Sequence, residues 1–387
     1  PESSMIIQHM PEFTKRTGIK VSHSAMAFGD VATKAATLFA AASDAVDVIS
    51  TWKGTINQFA APGYLEDITE QLPAGYADGM TAAINSFKFR ERVFGVPVMQ
   101  SFRFFFYNKK LFDEAGVAYP TDEWTTDDLL AAAEKLTKRD GDRVTQYALG
   151  MEGGKWPVWV GQAGGMVLDD LTNPSRCTLD TPEAMKGLRF FYDMMDKGYA
   201  MRSANLSQAG GDQAVFETGQ VAMIIQNSSR VAAFNANTNL DYDVATVPVL
   251  KGGQRWDMNG GAAWVMSANA DNKETAWEFL SWLQSKGGGE SIYTRNGEIF
   301  PALRSVANSD DFLAAAKPAN RKAFLIGAEA AKPGGFGYFP EWDELSGSII
   351  GPQLDRLWAG EATPEQVVPE LCKAVNQFLV TNGYPKK

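Results

Sequence analysis

The sequence predicts an α/β protein, and three observations carry that reading. Segments with the 3.6-residue apolar period of a helix alternate along the chain with short apolar or alternating runs of strand length. The 387 residues are 45% hydrophobic and 21% charged, enough apolar material for real cores and room for two domains at ~150 residues each. No internal repeat, low-complexity tract or long linker interrupts them, so two domains here are not beads on a string.

The elements follow in order. Residues 3–16 read as an amphipathic helix closed by Thr17-Gly18, with a strand at 19–22 and a short buried strand at 46–50 (VDVIS). Further strands are expected at 95–98 and 104–107, with 99–103 between them. Thr125 stands three before Asp128 ahead of the apolar run 129–136. Thr181-Pro182-Glu183 sets a capping hydroxyl before a proline at the first helical position, and Thr363-Pro364-Glu365-Gln366 repeats the device with Gln completing a capping box. Residues 272–283 carry Ala276, Phe279, Leu280 and Leu283 on one helical face. Strands at 147–151, 221–226, 242–247 and 263–267 fall between the helices. Glycine pairs such as Gly153-Gly154 and Gly164-Gly165 read as turns, a few of them places where backbone approaches a ligand.

Composition excludes several functions. Lys and Arg total 36 against 46 Asp and Glu, a net charge of −10 that argues against nucleic acid and anionic membrane surfaces as partners. No apolar run reaches the ~18–20 residues of a membrane span. Two histidines, His9 and His23, and two cysteines leave little for metal binding, thiol chemistry or imidazole catalysis, and HExxH, GxSxG, P-loop and strand-linked GxGxxG motifs are all lacking. No catalytic residue, metal ligand or cofactor is expected. Cys177 and Cys372, 195 positions apart, read as two buried small hydrophobes rather than a bridge. The adjacent acids Asp127-Asp128, Asp169-Asp170 and Asp343-Glu344 read as caps and turns, since hydrolysis of a glycosidic bond needs two carboxyls facing it from opposite sides.

Aromatics point toward binding. Trp52 follows a strand, Trp156 and Trp159 lie between two glycine pairs, and Trp342 sits in the Gly/Pro-rich stretch 333–344 beside Phe336, Tyr338 and Phe339. Ligands of α/β sheets lie beyond the carboxyl ends of strands, where an aromatic ring can stack on a sugar's C–H face while amides and hydroxyls meet its OH groups. Trp277, Trp282 and Trp358 lie on helical patterns and read as core.

Seven ordered segments resemble the extracellular solute-binding proteins of ABC importers, in the carbohydrate-binding group that includes the maltose-binding proteins. They are 13–21 (FTKRTGIKV), Asp47-Val48 with 63–68 (GYLEDI), Gly95-Val96-Pro97, 107–112 (YNKKLF) with Ala115-Gly116-Val117, Phe216 with 219–223 (GQVAM), Asn272-Lys273 with 276–280 (AWEFL), and 296–302 (NGEIFPA). The resemblance implies a periplasmic-binding-protein type II fold, two α/β lobes joined by a three-segment hinge with the ligand cleft between them. Lobe 1 would take 1–101 and 260–302, lobe 2 102–259 and 303–387, with crossings near 99–102, 259–262 and 301–304. Family members begin with a strand ahead of the first helix, which this chain is expected to lack.

Carried onto this chain, the family's cleft loops put Ser50, Thr51, Trp52 and Gln100 in lobe 1. From lobe 2 come Trp156, Gly165 through its backbone N–H, Asn227 and Ser228, with Asn259 and Gly260 at the second crossing and Tyr338 and Trp342 in a late loop. Arg103 and Arg230 read as surface or helix-end arginines rather than as partners of an acidic ligand. The implied function is capture of a mono- or oligosaccharide, glycoside or polyol by hinge closure and its delivery to membrane permease subunits, by a monomeric, non-enzymatic protein that is periplasmic or, in a Gram-positive cell, lipid-anchored. The alternative is a secreted carbohydrate-active hydrolase using paired carboxylates. A binding subunit of chemosensing would use the same cleft.

Overall fold

The computed structural model describes residues 2–26, 28–41, 43, 45–81, 87–258, 260–294, 300–314, 317–332, 334–335 and 337–386. They form two compact units, Pro1–Ser101 with Asn259–Ala315, and Phe102–Met258 with Ala316–Lys387. The first unit takes in residues 303–314, which were expected in the second. Packing explains the difference, because Phe312 lies edge-on to Phe300 with centroids 5.5 Å apart and holds the two short helices Arg304–Ala307 and Asp310–Leu313 to the first unit.

The first unit is built on an antiparallel sheet ordered Val48–Trp52, Gly260–Met266, Gly95–Ser101, Phe300–Pro301. Helix Glu2–Thr17 buries Ile6, Met10 and Phe13, spaced so that all share one face, and Phe13 meets Phe279 edge-on at 5.3 Å. Helix Lys273–Leu283 starts where Asn272 accepts the Thr275 N–H at 3.1 Å, and it buries Ala276, Phe279, Leu280 and Leu283 as its periodicity predicts. Residues 19–22 form no ladder among the described residues. Ile19 and Val21 pack half-buried on the core, so their alternation reports burial of one side rather than pairing. The strand expected at 46–50 begins two residues later, and the expected 95–98 strand runs on through Ser101. Helix Phe28–Ala40 carries no clear sequence signal because its core side is mostly alanine, with Ala35 and Phe39 as its buried anchors.

In the second unit the sheet order is Tyr242–Thr246, Phe104–Asn108, Val221–Gln226, Arg143–Gly150, Lys138–Asp140, with Ala200–Met201 also on Arg143–Gly150. Val221–Gln226 and Arg143–Gly150 run parallel, so their carboxyl ends share one edge of the sheet. Phe104, Phe105 and Phe106 are wholly buried, which is why this strand reads as a continuous apolar run. The predicted caps form: Asp128 accepts the Thr125 N–H at 2.8 Å, Gln366 accepts the Thr363 N–H at 3.0 Å, and Thr181 accepts the Ala184 N–H at 3.4 Å.

Cys177 and Cys372 form a disulfide, correcting their reading as two free hydrophobes. Sequence separation concealed the contact. The terminal helix Pro364–Thr381 returns beside the 168–177 loop, where Asn376 accepts the Cys177 N–H at 2.7 Å and the two Cα atoms come within 5.1 Å.

Candidate functional site

On the first unit, Ser50, Thr51 and Trp52 lie on a strand opposite Trp264, Ala263 and Ala262, while Gln100 lies opposite both Gly261 and Phe300. The strand order brings Trp52, Gly260 and Gln100 to one end of this sheet. Trp52 is half-buried and completes the strand instead of following it in a loop. Thr51 is buried, and its hydroxyl bonds to Thr55 Oγ1. Because Thr55 already donates to the Trp52 carbonyl at 2.8 Å, Thr51 is the donor of that pair. Gly260 faces Ser101, and Asn259 lies outside the described residues.

On the second unit, several expected contacts turn out to be structural. Gly165 donates its N–H to the Val160 carbonyl at 2.9 Å, so it has none to offer a ligand. A Cβ there would stand 2.5 Å from the Ala184 Cα, so glycine is needed where helix Trp156–Gln162 packs on helix Pro182–Asp196. Trp156 opens the first of these helices and is 7% exposed within the core. Trp342 opens helix Trp342–Leu345 rather than lying in a loop and is 6% exposed, tilted edge-on to Phe339 at 6.1 Å. Little of either ring face is open. Tyr338 is half-buried, with burial as the main cause raising its phenol pKa and the Gly334 backbone bonded to its oxygen. Asn227 accepts the Ser229 N–H at 3.1 Å and so caps a short turn that buries Ser228.

A cluster missed in the sequence lies where the parallel strands end. Glu152 follows Arg143–Gly150 by two residues, and Gln226 is the last residue of Val221–Gln226. Gln226 Nε2 donates to Glu152 at 3.2 Å and to Asp212 at 2.5 Å, and Lys155 Nζ lies 3.2 Å from Glu152. Arg230 reaches Asp212 at 4.0 Å and donates to Gln213 at 2.9 Å, while the Arg103 backbone N–H donates to Asp257. Lys155, Asp212, Gln226 and Asp257 are buried, whereas the side chains of Glu152 and Arg230 are 40% and 36% exposed.

These groups feel one another. Burial lowers the Lys155 pKa, aided by the Arg103 charge; burial also lowers that of Arg103. Burial and then the Glu152 charge raise that of Asp212, and burial pushes Asp257 up to about 6. Arg103 is half-buried rather than fully on the surface, with its backbone N–H on Asp257. The eight residues scatter over 155 positions, and their common mark is a place near strand ends.

The adjacent acids do not assemble a hydrolytic pair. Asp128 caps its helix, Asp127 pairs with Lys251 at 2.6 Å, and Asp169 and Asp170 accept backbone N–H groups within their own loop. Asp343 and Glu344 lie in the first turn of a short helix. Among the described residues, no cluster of three or more His, Cys, Asp or Glu side chains could hold a metal ion, and no helix is long and apolar enough to cross a membrane.

Comparison with known proteins places this geometry in context. A Brucella abortus (strain 2308) protein described as a binding protein is 26% identical over 297 residues, 74% of this chain and 68% of that one. The galactooligosaccharide-binding protein of Bacillus subtilis (strain 168) is 24% identical over 339 residues, 84% and 75% of the two chains. Among solved structures, an ABC substrate-binding protein from Listeria monocytogenes in complex with cycloalternan superposes with a TM-score of 0.85 at 24% identity, covering 97% of this chain and 96% of that one. The GacH receptor of Streptomyces glaucescens gives 0.81 at 23% identity, with 99% and 96% covered. The mixed α/β fold is thus that of the type II periplasmic binding proteins. The profile of the bacterial extracellular solute-binding proteins matches residues 3–290, and the chain belongs to that family.

Proposed function

We propose that this protein captures a carbohydrate by hinge closure and hands it unchanged to the permease of an ABC importer. The observation that carries the reading is the cluster Glu152, Lys155, Asp212, Gln226 and Arg230 at the carboxyl ends of two parallel strands, the place where α/β sheets bind ligands. Its donors and acceptors suit hydroxyl groups, which both give and accept hydrogen bonds. Trp52, Gln100 and Gly260 lie at one end of the first unit's sheet, with Ser50 two residues before Trp52 on its strand, and Asn227 and Tyr338 add polar groups on the second unit. Relatives named for galactooligosaccharide, arabinooligosaccharide and maltotriose binding support the ligand class.

The protein works as a monomer outside the cytoplasmic membrane, periplasmic or tethered by lipid, and performs no catalysis. The family's extracellular assignment and lipoprotein relatives support that placement. A thermal-shift screen over neutral and charged sugars and polyols tests it, since a ligand that binds only the folded protein raises its Tm. At least one sugar is expected to raise the Tm and to titrate with one-to-one stoichiometry. Failure of every sugar would overturn the reading.

A further inference from the structure

Beyond helix Pro364–Thr381, residues 384–386 of the second unit reach two loops at once. Tyr384 is 7% exposed, and its ring packs on Phe339 with centroids 5.0 Å apart. Its phenol donates to Glu341 Oε2 at 2.5 Å, and Lys386 Nζ lies 3.9 Å from the other oxygen of that carboxylate. Two hydrogen bonds tie the same segment to Asn173. The Lys386 backbone N–H donates to Asn173 Oδ1 at 2.6 Å, and Asn173 Nδ2 donates to the Lys386 carbonyl at 3.0 Å. The two loops are joined directly where the Tyr338 N–H donates to the Leu171 carbonyl at 2.5 Å. Residues 338–341, 171–173 and 384–386 thus close a ring of contacts around the loop that carries Tyr338.

One side of that ring is a firm abutment. Asp169 accepts the Ser175 and Arg176 N–H groups at 2.9 and 3.0 Å, and Asp170 accepts those of Thr172 and Asn173 at 2.7 and 2.8 Å. The disulfide at Cys177 fixes the end of the same loop. Residues 337–341 form no helix or strand, so their backbone order depends on outside partners. A loop left free would have to be ordered at the moment of binding, and that entropy would be subtracted from affinity.

We infer that segment 384–386 is a strap that orders this loop before ligand arrives, with Tyr384, Glu341 and Asn173 as positioning residues acting through Tyr338. The inference rests on the reading that places Tyr338 at the sugar site.

Calorimetric titration with galactose, maltotriose and ribitol tests the strap, alongside hydrogen exchange of residues 337–342. Tyr384→Phe keeps the ring on Phe339 but removes the bond to Glu341, and Asn173→Ala cuts the other arm. Each is expected to weaken the best-binding probe about threefold or more per folded molecule. Each should also speed exchange in 337–342 by about threefold or more, with helix Pro364–Thr381 unchanged. Glu341→Gln keeps an acceptor for Tyr384 and should retain affinity within about twofold, whereas Glu341→Ala should not. In a Tyr338→Ala background, Tyr384→Phe should cost less than about 1.5-fold, because the residue it acts through is gone. A merely structural role would lower the Tm and leave affinity unchanged, or give the same loss with and without Tyr338; either result overturns the inference. So does unchanged exchange, a result that needs no sugar. If no sugar or polyol binds the wild type, the carbohydrate reading falls instead, and exchange alone upholds or overturns the strap.

Discussion

At Gly165 the missing side chain is the functional feature: a methyl group would press to 2.5 Å on the Ala184 Cα, and backbone cannot yield as a flexible side chain can. Gly165→Ala is therefore expected to cost about 1–3 kcal/mol of stability in urea unfolding while leaving affinity per folded molecule unchanged. The tryptophans divide by burial. Trp156→Ala empties part of a packed core and should cost about 3–5 kcal/mol of stability. Trp52→Ala, at a half-buried strand end, should weaken ligand by ~1 kcal/mol with a smaller stability change; the reverse pattern in paired calorimetry and unfolding would exchange their roles. At this scale the sequence was least legible. A Trp beside glycines looks the same whether it faces a ligand or a core, and nothing near Lys155 or Asp212 announces that they meet.

Elements were more legible because their signals are local. The Thr125–Asp128 and Thr363–Gln366 boxes form as written, since a cap is decided within four residues. The ladder expected at 19–22 and the Cys177–Cys372 bridge depend on distant chain, and both were misread for that reason. The bridge ties the terminal helix to the loop before helix Pro182–Asp196, and opening it, by reductant or by Cys372→Ala with Cys177→Ala, should lower unfolding stability by about 2–4 kcal/mol. Asp257 makes a pH prediction at the start of the strand Asp257–Met258, where its carboxylate accepts the Arg103 and Met258 N–H groups. Burial raises its folded pKa from the ordinary 3.8 to about 6, so its protonation favours the fold fully below pH ~4, and that stability is lost as pH rises through ~6. Asp257→Asn should flatten the stability profile between pH 4 and 7, and an unaltered profile would show that Asp257 titrates normally.

For the whole molecule, fold and family were legible because seven weak segments in the right order constrain one another along nearly the entire chain. The site was legible only as loops at strand ends, because its charged network joins residues from Arg103 to Asp257 that no local pattern connects. We propose that the molecule binds and releases a sugar without changing it. The most direct measurement of that claim is to titrate the protein calorimetrically with its best sugar and then analyse the recovered sugar after prolonged incubation. Saturable one-to-one heat with the sugar recovered intact is the predicted result. Continuing heat with cleaved product, or no saturable binding by any sugar tested, would contradict it.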